Sequence, residues 1–183
     1  TEVDRIGFGL AVENNQLTLG ATPPQRYIDF VNSSGKSSTN VVAMLNWSRD
    51  TRDSVLIPTR GRFQIASLEA SLPGSDSSYY RLGYGHQYFL PVTKDYTLAL
   101  NLDLGYGRAY GDEDYPPFKN YYAGGIGSIR GYEPSSLGPG RDPVDDVALG
   151  GQVKIVGSVE FQMPLAGTGN DRTIRSFLFF DAG

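Results

Sequence analysis

Residues 96–106 read Tyr-Thr-Leu-Ala-Leu-Asn-Leu-Asp-Leu-Gly-Tyr. Tyr96, Leu98, Leu100, Leu102, Leu104 and Tyr106 fall on one side of an extended chain, and Thr97, Ala99, Asn101, Asp103 and Gly105 on the other. Side chains alternate faces along a strand, so this period-two apolar row predicts a β-strand with one face against an apolar medium. An aromatic closes each end of the leucine row.

The pattern recurs to either side. Ile6, Phe8, Leu10 and Val12 alternate with Arg5, Gly7, Gly9 and Ala11. Val41, Ala43, Leu45 and Trp47 form another row, as do Tyr80, Leu82, Tyr84, Tyr88 and Leu90. Val153, Ile155, Val159, Phe161 and Met163 alternate with Gln152, Lys154, Ser158, Glu160 and Gln162. The reading predicts strands over 3–13, 39–49, 61–72, 79–91, 95–109, 149–163 and 172–182. In 61–72 the phase breaks, because Phe63 and Ile65 oppose Ala66, Leu68, Ala70 and Leu72. A bulge near Ala66–Ser67 is expected to restore it. In 172–182 Phe177 and Phe179 compete with Leu178 and Phe180 for the apolar face.

Composition narrows the medium. No apolar run approaches the ~18 residues of a membrane helix, so a helical membrane protein is excluded. There is no cysteine, hence no disulfide scaffold or Cys-based metal site. A formal net charge of −4 argues against a basic face for nucleic acid. The 23 glycines and 12 tyrosines suit strands better than helices. The amino terminus carries no signal-peptide pattern, so a leader is expected to be absent or already removed.

Two architectures turn alternating strands to use. A soluble β-sandwich seals its apolar faces together; a membrane barrel turns them to lipid and keeps polar and small residues in its lumen. About eleven residues at ~3.3 Å, tilted ~45°, rise roughly 25 Å, the height of an outer-membrane hydrocarbon band. Soluble strands average about 5–6 residues. The terminal aromatics match interfacial girdles. Connection lengths also fit a barrel. The long 14–38 and 110–148 segments and the 73–78 turn are expected outside, and the remaining turns in the periplasm. The expected fold is therefore all-β: an antiparallel meander of about seven transmembrane-type strands. Seven is too few for a closed single-chain barrel, and open edges cannot face lipid. The chain is expected to be part of a larger barrel, with self-association through edge strands as another way to pair them.

The 110–148 loop holds Asn120-Tyr121-Tyr122-Ala123-Gly124-Gly125-Ile126-Gly127-Ser128-Ile129-Arg130-Gly131-Tyr132, then Ser136-Leu137-Gly138-Pro139. Gly124, Gly125, Gly127 and Gly131 permit positive φ and close backbone approach. Arg130 presents a rigid fork of donors that needs a matching acceptor if it enters the lumen. Glu160 faces inward by parity, opposite to Val159 and Phe161. Asp181 should face inward because a charge on lipid is costly. That choice carries Phe177 and Phe179 inward, where they could pack beneath the loop. A hairpin count does not set the two carboxylates directly opposite, which leaves open whether one guanidinium reaches both.

Ile129-Arg130-Gly131-Tyr132 resembles the (V/I)-R-G-(F/Y) signature in the sixth extracellular loop of BamA-type outer-membrane protein assembly factors and their two-partner-secretion relatives. The preceding Tyr-Ala-Gly-Gly and following Leu-Gly-Pro look more like the assembly factors. Leu56–Arg62, Gly157–Phe161 and Phe179-Phe180-Asp181-Ala182-Gly183 resemble further family segments in order. The resemblance implies that residues 1–183 are strands seven to thirteen of a sixteen-stranded barrel in the bacterial outer membrane. It implies that loop 110–148 folds into the lumen, with Arg130 on a wall carboxylate, Asp181 being the first candidate partner and Glu160 the second. The periplasmic POTRA domains of that family are not in this sequence. The implied role is folding and insertion of outer-membrane β-barrel proteins. Outer-membrane lipids, unfolded outer-membrane proteins and assembly-complex lipoproteins are the implied partners. A secretion transporter barrel and a soluble sandwich binding module are the alternatives.

Other residues are read blandly. His86 shares parity with Tyr84 and Tyr88 and is structural. No G-x-S-x-G elbow supports covalent catalysis. The glycine run lacks the G-K-(S/T) ending of a phosphate loop. Asp112-Glu113-Asp114 and Asp142 with Asp145-Asp146 read as solvated loop charge rather than a cation site. Asn46-Trp47-Ser48 is a sequon in mid-strand and is discounted. No enzyme activity, cofactor or metal is expected.

Overall fold

The computed structural model describes residues 3–111, 113–142, 148–165 and 174–183. Seven strands follow in chain order: β1 (Asp4–Gln16), β2 (Ser37–Asp50), β3 (Gly61–Ser71), β4 (Tyr79–Pro91), β5 (Thr97–Ala109), β6 (Val153–Pro164) and β7 (Arg175–Ala182). They form one sheet in the order β1-β2-β3-β4-β5-β6-β7, each pair antiparallel. The meander is the one the alternation predicts. Among the described residues no second sheet covers it, so the sandwich alternative is not favoured.

The apolar rows share one face across the register. Leu10 pairs with Ala43 and Ala43 with Ala70; Leu82 pairs with Tyr106, and Leu104 with Ile155. On β1 this face is open: Ile6, Phe8, Leu10 and Val12 are 65%, 84%, 76% and 72% exposed. A wall whose apolar side is bare and whose polar side is covered is inverted relative to a soluble protein, and acyl chains fit that side. Tyr96 stacks on Phe161 at 5.6 Å near one rim, and Tyr80 meets Tyr106 at 6.1 Å near the other. The aromatics thus fall where girdles belong.

The bulge expected at Ala66–Ser67 is absent. Pairing runs unbroken from Val42 with Ser71 to Asp50 with Phe63, and from Gly61 with Phe89 to Ala70 with Tyr80. Ala66, Leu68 and Ala70 stay on the outer face, and Phe63 and Ile65 turn inward. Each has a neighbour there, although Ile65 stays 40% exposed. The Arg52 guanidinium carbon lies 4.7 Å above the Phe63 ring, and Ile65 occupies the space left free by Gly85. In β7 Phe177 and Phe179 face inward and Leu178 and Phe180 outward, by their pairing with Gln162, Glu160, Phe161 and Val159. Residues 172 and 173 and most of the turn before β7 lie outside the described residues.

The turn between β2 and β3 is built around Asp53. Its carboxylate accepts from the Thr59 hydroxyl, from Thr59 N at 2.9 Å and from Arg60 N at 3.2 Å. Burial raises the Asp53 pKa, but these hydrogen bonds outweigh it and hold the group at about 2. Gly61 opens β3 with φ +99.

The 14–38 segment is not only a polar loop. It contains a helix, α1 (Gln25–Ser34), entered through Pro24 and left through Gly35 at φ +85. Proline before and glycine after are ordinary helix punctuation. Phe30 buries its ring against Phe118, 3% exposed and edge-on at 6.0 Å. His86 is on the outer face, its Nδ1 3.1 Å from the Tyr84 hydroxyl, which also accepts from Gln64 Nε2 at 2.8 Å. A polar knot that satisfies itself agrees with a structural histidine.

Candidate functional site

The segment after β5 turns back over the inner face of the sheet, and glycines let it come close. Tyr115 and Tyr121 lie on β5 where Gly107 and Gly105 offer no side chain. A Cβ at Gly107 would sit 2.2 Å from the Tyr115 hydroxyl, and one at Gly105 would sit 2.7 Å from the Tyr121 ring. The Tyr121 hydroxyl donates to Leu82 O at 2.9 Å, and the Arg81 guanidinium lies 4.5 Å from its ring centre. Gly107→Val is therefore expected to lift Tyr115 off the wall. Faster amide exchange over 113–121 in the full-length protein would register it; unchanged exchange there would contradict the close packing.

Beyond a single 3-10 turn at Pro117–Lys119, the chain is tied to its return path by bridges of Tyr121 to Gly151 and Ala123 to Leu137. Between them is the tip. Gly124, Gly125 and Gly131 take φ of +106, +93 and +90, as a tight reversal requires. Gly127 does not take a positive φ. Gly125 N donates to Tyr132 O at 3.1 Å and Ser128 N to Gly125 O at 3.0 Å. This turn carries Ile129 inward, 7% exposed, and leaves Tyr132 56% exposed.

Arg130 makes the densest set of contacts on the inner face. Its backbone N and its Nε donate to Asp181 Oδ2 at 2.9 and 2.8 Å, and Nη2 donates to Asp181 Oδ1 at 2.6 Å. Nη1 donates to Glu160 Oε2 at 2.7 Å, and Nη2 also reaches Ser158 Oγ at 2.9 Å. The guanidinium carbon lies over Phe179, 3.7 Å from the ring centre, with Phe177 at 5.8 Å. Hydrogen bonds to Asp181 and Glu160 push the Arg130 pKa above the ordinary arginine range. The Asp181 side chain is 2% exposed and that of Arg130 is 17%.

The two carboxylates are not opposite each other. Ser158 pairs with Asp181, and Glu160 pairs with Phe179, one inward position further along. The fork spans that offset: one edge takes Asp181, the other takes Glu160, and the ring between them supports the plane. Arg130, Asp181, Glu160, Phe177 and Phe179 are thus together. Ser158 was missed, although its parity matches that of Glu160. A second inward ion pair, Lys154 with Asp103 at 2.5 Å, lies nearby. The tip and wall line an open cleft of about 630 Å³ that includes Arg130, Ser158 and Glu160 in its lining.

The cap over this loop was also unforeseen. Arg26 Nη1 of α1 donates to Leu149 O at 3.0 Å and Gly150 O at 3.3 Å, and Ser33 Oγ donates to Asp114 Oδ2 at 3.1 Å. Burial raises the Tyr27 pKa to about 12, with Tyr122 adding to it. Of the acidic runs, Asp112, Asp145 and Asp146 lie outside the described residues. Among the described residues no group of His, Asp and Glu side chains could hold a metal ion.

Comparison with known proteins follows the same line. A family model described as the Omp85 superfamily domain matches residues 1–183. The outer membrane protein assembly factor BamA of Neisseria meningitidis is 36% identical over 194 residues, covering 100% of this chain and 24% of that protein. A SAM50-like protein of Schizosaccharomyces pombe is 28% identical over 145 residues, covering 75% of this chain and 29% of that protein. The chain thus spans between about a quarter and three tenths of these curated relatives. The crystal structure of BamA from Haemophilus ducreyi lacking POTRA domains 1–3 matches with a TM-score of 0.91 at 24% identity, over 99% of this chain and 38% of that one. That likeness is one of fold.

Proposed function

The chain belongs to the Omp85 superfamily, as barrel wall of the outer-membrane BamA type, and from that premise we propose that it serves in folding and inserting outer-membrane β-barrel proteins. The observation that carries the reading is the clasp of Arg130 on Asp181 and Glu160, which fastens an extracellular loop to the inner side of a membrane-type wall. In this reading the seven strands are a section of a sixteen-stranded barrel, and β1 and β7 pair with its other strands. The loop is a latch that plugs the lumen and braces the wall while a client strand is handled elsewhere on the barrel. Acyl chains of the outer membrane cover the outer rows. Clients are unfolded outer-membrane proteins, and accessory lipoproteins act with the full-length protein.

No covalent step is involved. The residues hold position, and the arrangement does its work through fixed charge and excluded water. Relatives of this chain are named for assembly and sorting, which favours this role over export of a secreted partner.

The test reconstitutes the full-length protein in phospholipid vesicles and follows folding of an unfolded outer-membrane barrel protein by its heat-modifiable gel band. Faster folding than in empty vesicles is expected. Folding no faster than in empty vesicles, or release of a secreted partner instead, would overturn the proposal.

A further inference from the structure

Lys119 sits at the root of the loop, in the 3-10 turn, on the opposite arm of the sheet from Asp181. Its ammonium donates to Glu13 Oε2 on β1 at 2.9 Å and to Glu69 Oε1 on β3 at 2.7 Å. Its side chain is 12% exposed. Glu69 is held from two further directions: the Tyr79 hydroxyl donates to Oε1 at 2.9 Å, and Arg81 Nη1 reaches Oε2 at 3.5 Å. The Lys119 ammonium also lies 5.2 Å from the Tyr79 ring centre. Two carboxylates on non-adjacent strands therefore share one covered ammonium. Burial alone would lower the Lys119 pKa, but hydrogen bonds to Glu69, Tyr79 and Glu13 raise it above the ordinary lysine range.

We propose that Lys119, Glu13 and Glu69 form a second anchor for the loop, independent of the Arg130 clasp, so that the loop is a tie between the β1–β3 and β6–β7 arms of the wall. Each anchor bridges two strands by one cation: Glu13 and Glu69 for Lys119, Glu160 and Asp181 for Arg130. The two halves of the loop fail separately. The root carries the Phe30–Phe118 and Ser33–Asp114 contacts, so its release loosens α1 as well. The tip has its own turn hydrogen bonds and its own carboxylates, so it stays on β6 and β7. Lys119 positions; nothing assigns it contact with a client.

Hydrogen exchange of the full-length protein in detergent or vesicles decides the matter, without any insertion assay, and so separately from the assembly role. Lys119→Met strands two carboxylates and is expected to speed exchange at 113–121 and over α1 by about tenfold or more, while 124–131 stays near wild type. The triple variant Lys119→Met, Glu13→Gln, Glu69→Gln removes the stranded charges but not the need for the anchor, and is expected to return only part of the protection; a return to the wild-type level would overturn the proposal. Arg130→Ala shows the converse map, with the tip exposed and the root protected. Root protection unchanged in Lys119→Met would overturn the proposal, as would a tip that opens with the root. So would a triple variant no better protected than Lys119→Met, because Lys119 would then only fill space. If Lys119→Met fails to fold, folding of the triple variant supports the anchor and its failure counts against it.

Discussion

Arg130→Ala in the full-length protein is expected to free the loop tip and to cost about 3–5 kcal/mol, because a covered carboxylate loses its partner. Asp181 loses two of the three hydrogen bonds it accepts from that residue and keeps only the one from its backbone N, in a side chain 2% exposed. Glu160 loses one and retains Gln162 Nε2 at 2.8 Å. Asp181→Ala should therefore destabilise more than Glu160→Ala. Arg130→Lys should behave nearly as the alanine variant, since one ammonium cannot span the offset between the two carboxylates as the guanidinium fork does. The measurement is the temperature at which the compact band on unheated gels converts to the unfolded one. A conversion temperature unchanged in both Arg130→Ala and Asp181→Ala would refute the clasp as a structural element.

The second large effect is at the other rim. Gly61→Ala is expected to impair folding severely, by about 3 kcal/mol or more, for two reasons that add. Its φ of +99 lies where L-residues are strained, and a Cβ there would sit 2.2 Å from Thr51 O and 2.8 Å from Arg52 Cα. Both contacts are backbone, so no side-chain rotation relieves them. The turn cannot shift cheaply either, because Asp53 ties it through Thr59 and Arg60. Thr51 N also donates to Arg62 O at 2.9 Å across the same turn. Gly7→Ala is the control, since nothing lies within 4 Å of its Cβ position. Refolding yield into vesicles should fall for Gly61→Ala and hold for Gly7→Ala; equal yields would show that the turn yields after all.

Legibility in the sequence followed the range of the interaction. Strand alternation is written residue by residue, so all seven strands could be read, with ends displaced where loops resume. The Arg130 clasp was legible because the family resemblance puts Arg130 on a wall carboxylate, while parity sends Glu160 inward and the cost of charge on lipid sends Asp181 inward. That one fork meets both could not be read, since it depends on the stagger between β6 and β7. Phe63 and Ile65 misled the reading of β3. Apolar residues on an inner face look like a slip of phase until Arg52 is seen over the Phe63 ring and Ile65 beside the bare backbone of Gly85. The Lys119 anchor was invisible for a different reason. Glu13, Glu69 and Lys119 come from three distant segments, and nothing local marks where the loop crosses the sheet. In α1 the signal was present in Pro24 and Gly35, but a short amphipathic turn within polar sequence carries little weight by itself.

The grip of Arg26 on the carbonyls of residues 149 and 150 gives the outside world leverage on the inside. Those carbonyls lie just ahead of β6, whose Ser158 and Glu160 hold the guanidinium. A pull on α1 would therefore be passed through the start of β6 to the side chains that grip Arg130, although no residue of the helix touches that guanidinium.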